Sequence, residues 1–157
     1  MEPRRPDPIG VLRYRGEPAE RPALAEEPGS FRDPDSRVYV VGDRVLRLFS
    51  DRGAVEYRAF EQSGLKAELE ERGYIVQARP ARQDDVRALE ASGVQASCVV
   101  EHPRLPFISY PYEWSFGMLK SAALLQLDLV HMALERDFIL KDATPYNVQF
   151  VGSRPIF

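Results

Sequence analysis

From Arg37 onward the chain leaves an irregular polar stretch and takes up periods that specify elements. RVYVVGDRVLRLFS, residues 37–50, alternates β-branched and aromatic residues around Gly42-Asp43. That pattern predicts antiparallel strands at 37–41 and 44–49 joined by a type II′ turn, with glycine at the position that needs a positive φ. Period-two alternation places Val45, Arg47 and Phe49 on one face of the second strand and Leu46 and Leu48 on the other. Arg47 is therefore a cation between two apolar neighbours.

The next periods are helical. Residues 54–72 carry Tyr57, Phe60, Leu65 and Leu69 at helical spacings, with a break near Ser63-Gly64 and Gly73 as the stop. GYIVQARP predicts a strand ended by Pro80, and QDDVRALEASG predicts a short helix with acidic residues in its first turn. QASCVVEHP and LPFISYPYEW read as two strands joined around Pro103-Arg104.

The strongest periodicity runs from about 115 to 137, where Met118, Ala122, Leu125, Leu129, Met132 and Ala133 make one stripe. Leu124, Leu127, Val130 and Leu134 widen it, which predicts a helix central to the core, with Lys120, Ser121, Asp128, His131 and Glu135 on its wetter side. FILKDATPYNVQFVGSRPIF then reads as a helix end, a polar turn, a strand at 147–151, a Gly152-Ser153 turn and a further strand.

Composition narrows the possibilities. A chain of 157 residues that is 44% hydrophobic can bury one modest core, so one domain is expected. Residues 1–36 hold seven of the 13 prolines, many charges and no apolar period, and read as a flexible or loosely docked tail before a domain at 37–157. The formal charge of −3 lacks the excess of Lys and Arg that phosphate neutralisation needs, so no nucleic-acid partner is expected. The single cysteine, Cys98, excludes an internal disulfide and a Cys-based zinc site, and its SCVV setting makes it a buried hydrophobe. With no apolar run of about 18 residues and no signal-peptide pattern at MEPRRPDPIG, the expectation is a soluble cytoplasmic protein without a membrane partner.

The candidate chemistry lies in KDATPYN, residues 141–147. Asp142 and Asn147 stand five apart between a helix and a hairpin, the D-x-x-x-x-N spacing of a kinase catalytic loop. There an aspartate orients the attacking hydroxyl while the asparagine amide oxygen ligates magnesium on nucleotide phosphates. Asp, Pro and Asn are also ordinary turn residues, so a turn without chemistry stays open beside the site. His131 has no second histidine at ligand spacing and reads as a surface residue.

Asp142, Pro145 and Asn147 resemble the D-x-x-P-x-N loop of small-molecule phosphotransferases of the aminoglycoside-kinase kind, and NVQFVGSRPIF resembles the hairpin that follows it. The resemblance implies an α+β, protein-kinase-like fold with a small antiparallel sheet plus helices, truncated before the second, metal-binding aspartate. It implies Asp142 as catalytic residue, Asn147 as magnesium ligand, and Arg47 and Val45 as contacts to nucleotide phosphate and base, with ATP and magnesium as cofactors. Glu56 or Glu61 would pair with Arg47, and Tyr112 and Trp114 would flank a purine, against readings as solvated glutamates and aromatic core anchors. The sequence departs from the pattern at Arg47, which replaces a lysine, at Leu140-Lys141, and in the lack of a glycine-rich loop.

Residues 102–157 are also similar to the N-terminal region of bacterial class I S-adenosylmethionine-dependent methyltransferases related to nodulation proteins, through SYPYEW, the run MLK-AALL and LKDATPYN. This implies an accessory portion not itself competent for methyl transfer. Its partner would be a downstream methyltransferase domain, its small-molecule substrate is not specified, and S-adenosylmethionine would bind outside this chain. No G-x-G occurs anywhere in the sequence, so the glycine-rich cofactor turn is absent.

Overall fold

The structure, a computed structural model, describes residues 24–157. Its class is α+β, with two antiparallel sheets and four α-helices among the described residues. The larger sheet is built from β1 (Ala25–Glu26), β2 (Ser36–Val41), β3 (Arg44–Phe49), β4 (Arg79–Pro80) and β5 (Cys98–Pro103), in the spatial order β1-β2-β3-β5-β4. Gly42 turns β2 into β3 at φ 60°, as the alternation around it requires, and the register pairs Val40 with Val45 and Val38 with Arg47. The helices are α1 (Asp51–Gln62), α2 (Leu65–Glu71), α3 (Gln83–Ala91) and α4 (Phe116–Leu134). The smaller sheet is the hairpin of β6 (Gln149–Val151) and β7 (Arg154–Ile156).

Alternation on β3 divides the protein into two cores. Leu46 and Leu48, with Tyr39 and Val41 from β2, pack against Leu89 of α3 on one face of the large sheet. The opposite face meets α1, where Phe49 stacks on Tyr57 with ring centroids 4.9 Å apart. A second core joins Leu65 and Leu69 of α2 to Ala122, Leu125, Leu129, Met132 and Ala133 of α4, with Trp114 and Val148. Trp114 meets Phe150 of the hairpin edge-on at 5.0 Å, and its indole N–H donates to Ser109 Oγ at 2.9 Å. A buried indole needs such a partner, and the Ser109 N–H in turn donates to Gln149 Oε1 at 2.9 Å, which anchors the segment before α4 to β6.

Several sequence expectations change in the folded chain. Residues 24–36, read as tail, add β1 to the sheet edge and close a 3-10 turn at 28–32, while residues 1–23 lie outside the described residues. Of GYIVQARP only Arg79 and Pro80 form a strand. Tyr74 and Val76 instead pair with Phe157, whose N–H donates to the Tyr74 carbonyl at 2.8 Å, so this segment fastens to the end of the hairpin. LPFISYPYEW is an irregular connection with a 3-10 turn at 111–113, because Pro106 and Pro111 interrupt the ladder donors a strand would supply. Leu124, Leu127, Val130 and Leu134 are exposed, so α4 buries only one of its apolar stripes.

One ionic network fixes the strand order. Glu101 on β5 is fully buried, and its carboxylate accepts from Arg44 of β3 at 2.7 Å and from Arg79 of β4. Arg44 also pairs with Asp85 of α3, so three strands and one helix meet at two guanidinium groups. Removing one partner from a buried cluster leaves an uncompensated charge, which costs far more than an exposed pair is worth. Glu101→Ala is expected to lower unfolding free energy by about 3–5 kcal/mol in denaturant titration. A loss below about 1 kcal/mol, the range of surface pairs, would show that the network is not holding the sheet.

Candidate functional site

α4 ends at Leu134, and a polar connection carries the chain to β6. Asp142 lies in it at φ 53°, a left-handed conformation that aspartate tolerates better than most side chains. Its carbonyl accepts from the Thr144 N–H at 2.9 Å, and a 3-10 turn at 145–147 follows, with proline at its first position. Thr144 Oγ1 donates to Asn147 Oδ1 at 3.0 Å, while the Asn147 N–H donates to the Thr144 carbonyl at 3.0 Å. Asn147 thus closes the loop by two bonds to Thr144. Both Asp142 and Asn147 are exposed, and Asp142 makes no side-chain hydrogen bond or ion pair with the described residues.

Lys141 ties this loop to the segment before β2. Its Nζ donates to Asp33 Oδ1 at 3.0 Å and to Asp35 Oδ2 at 3.2 Å, and these carboxylates raise its pKa. Asp35 is buried and also accepts from Arg52 of α1, through Nε at 2.9 Å and through the terminal nitrogen. Arg52, then Lys141, hold the Asp35 carboxyl at about 2 against the opposing effect of burial. Burial raises Asp33, but the Ser36 hydroxyl, the Asp35 amide and Lys141 outweigh it and keep its carboxyl below the usual range. The resulting chain of ions runs from α1 through Asp35 and Asp33 to the residue beside Asp142.

Arg47 sits on the α1 side of β3, as the alternation predicts, with Val45 on the same face. It is exposed and makes no hydrogen bond or ion pair with the described residues, and Asp33 is the carboxylate whose charge acts on it. Arg47 and Lys141 therefore share Asp33 as an electrostatic neighbour. No bond joins Arg47 directly to Asp142 or Asn147 among the described residues. Neither glutamate pairs with Arg47: Glu56 lies 4.0 Å from Arg52, and Glu61 lies 3.7 Å from Lys66 and accepts from the Tyr57 hydroxyl. Tyr112 is exposed and stacks on Tyr110, whereas Trp114 is the core anchor described above. His131 is exposed beside Glu135, and Cys98 is a half-buried strand residue whose thiol pKa burial raises.

Sequence reasoning passed over His102, which stands opposite Val45 on β5 and diagonal to Arg47. Its Nδ1 lies 3.0 Å from the Gln77 carbonyl, so that nitrogen carries the proton, and Nε2 is buried with no partner among the described residues. Burial first, and the Arg47 charge second, push the imidazole down to about 4. Asp33 and Asp35 were also passed over, because DPDS was assigned with its proline-rich surroundings to the tail. The legible signal there was local, an aspartate followed by Ser36 just before a strand, as in an Asx turn.

As to cofactors, Asp142 and Asn147 could offer magnesium one carboxylate and one amide oxygen, a donor set that suits an ion carried by phosphates. The Asn147 oxygen would have to share its place with the Thr144 hydroxyl. Every strand pair described is antiparallel, whereas the doubly wound cofactor site needs a crevice at the carboxyl ends of parallel strands.

Comparison with known proteins gives one clear relationship. Over 139 residues, 88% of this chain, the sequence is 40% identical to nodulation protein NoeA of Rhizobium meliloti (strain 1021). The chain spans 28% of that protein's length. No family model matches the chain, and no solved structure matches it. No helix among the described residues is long and apolar enough to cross a membrane.

Two measurements test this geometry. Gly53 of α1 packs so closely on the segment bearing Asp35 that an added Cβ would lie 2.4 Å from the Asp35 carbonyl. Gly53→Ala should therefore lower the melting temperature, although alanine is favoured over glycine in helices by about 1 kcal/mol; a rise would show that α1 does not clamp Asp35. His102 is neutral in the fold, so its contribution is intact above its unfolded pKa near 6.5 and is lost as pH falls through its folded value of about 4. Between those pH values the native protein should lose on the order of 3 kcal/mol more than His102→Gln, read by denaturant titration at each pH. Parallel pH profiles would rule out a buried neutral imidazole.

Proposed function

We propose that this chain is a kinase-like accessory portion of a class I S-adenosylmethionine-dependent methyltransferase related to nodulation protein NoeA, and that it does not itself transfer methyl groups. The observation that carries the reading is an entirely antiparallel large sheet in a chain similar to 28% of a longer protein. Such a sheet supplies no cofactor crevice, so methyl transfer belongs to polypeptide outside the matched portion. The kinase-like assignment is supported by the order of parts. A strand bearing Arg47 precedes the α1–α2 pair, and α4 leads through Asp142 and Asn147 into a hairpin.

Calorimetric titration tests the assignment. Full-length NoeA should bind S-adenosylmethionine, while residues 1–157 of this protein should give no heat of binding. Tight binding by the short chain, or none by NoeA, would overturn the reading.

The placement of Arg47, Asp142 and Asn147 favours a second reading, that of a phosphotransferase using ATP and magnesium. In it Arg47 holds phosphate, Val45 lines the base, Asp142 orients a small-molecule hydroxyl and Asn147 ligates the metal. Phosphoryl transfer in such sites depends on positioning and charge, which is why the exposed, unpaired Asp142 carboxylate and Arg47 matter together. Magnesium and ATP should then raise the melting temperature by several degrees, and Asp142→Asn or Asn147→Ala should abolish the shift. An equal shift in both variants would remove these residues from the site.

A further inference from the structure

α4 carries two apolar stripes, and the fold uses one. At 100° per residue, Ala122, Leu125, Leu129, Met132 and Ala133 cluster on one side and are buried against α2 and the hairpin. Phe116, Leu119, Ala123, Leu127, Val130 and Leu134 make a separate line at spacings of three or four, more than a quarter-turn away, and all six are exposed. Phe116 is 82% exposed, Leu127 65% and Leu134 59%, so the line stays open from end to end of a helix about 28 Å long. The polar residues Lys120, Ser121, Asp128, His131 and Glu135 occupy a different arc. Exposed Leu124 also falls in that arc, and the outer apolar line is separate from it.

A line of large apolar side chains along a whole helix exceeds the scattered exposed residues normal for a protein surface. Its three-four spacing is what a partner helix needs for interlocking side chains. The similarity to NoeA indicates the source of that partner, because the portion matched by this chain is 28% of a protein with most of its polypeptide elsewhere. We propose that the outer stripe of α4 is the docking surface for an apolar helical face contributed by the polypeptide that NoeA carries outside the matched portion. The proposal does not depend on which reaction that polypeptide catalyses.

Accessibility of single cysteines tests it. In a Cys98→Ala background, Leu127→Cys marks the outer stripe and His131→Cys marks the polar arc. In residues 1–157 alone both should react rapidly with a maleimide, and light scattering should give a monomer mass. In a chimera in which this chain replaces the matched portion of NoeA, labelling at 127 should slow at least tenfold while labelling at 131 stays fast. The same pair of cysteines at the aligned positions of intact NoeA gives the measurement independently of whether the chimera folds. Fast labelling at 127 in NoeA would overturn the proposal. So would protection at 127 in the isolated chain together with a dimer mass, which would give the stripe to a second copy.

Discussion

A carboxylate with no access to water sets the architecture of the large sheet. Glu101 lies in the middle of β5, and a charge there is tolerated only because Arg44 arrives from one neighbouring strand and Arg79 from the other. The cost of leaving any of these ions unpaired selects the order β3-β5-β4 over other arrangements of short strands. Asp85 extends the constraint to α3, which places Leu89 over Leu46 and Leu48. Hydrophobic burial drives the collapse of this face, and the ions specify which collapse.

A second set of ions works at the surface between elements of the two cores. Asp35 is held by Arg52 and Lys141, and Asp33 by Lys141 and Ser36, so the entry to β2, the start of α1 and the loop before β6 share one cluster. Lys141 is largely exposed, and such a contact positions more than it stabilises. Its consequence is chemical. An acidic residue stands near Arg47, on the side of β3 where the phosphotransferase reading requires a free cation, and His102 adds a buried neutral nitrogen to the same face. Asp33 thus touches Lys141 by a direct bond and acts on Arg47 through its charge.

Much of the local structure was legible. The Gly42 turn, the alternation on β3, the break at Gly64 and the inner stripe of α4 each follow from a residue pattern shorter than about twenty positions, and each appears in the fold. The Asp142–Asn147 loop was legible as a spacing, and its place between α4 and the hairpin agrees with the sequence. What was not legible involved distant partners. GYIVQARP has the composition of a strand, yet its backbone donors and acceptors meet Phe157, over eighty residues further along. DPDS looked like the end of a tail because nothing local announces that Arg52 and Lys141 will close on it.

The sequence by itself determined the β2–β3 hairpin, the break between α1 and α2 and the inner stripe of α4, because periodicity and glycine placement report backbone geometry over a few residues. It also determined that Arg47 would share a face with Val45, since neighbouring side chains on a strand must alternate. Only the tertiary structure decided that Glu56 and Glu61 would turn to Arg52 and Lys66 instead of Arg47, and that α4 would bury one stripe and leave the other open. A helix wheel shows that two faces are apolar but not how many neighbours arrive to cover them. Charge pairing and coverage are long-range events, fixed by which surfaces the whole chain brings within a few ångströms.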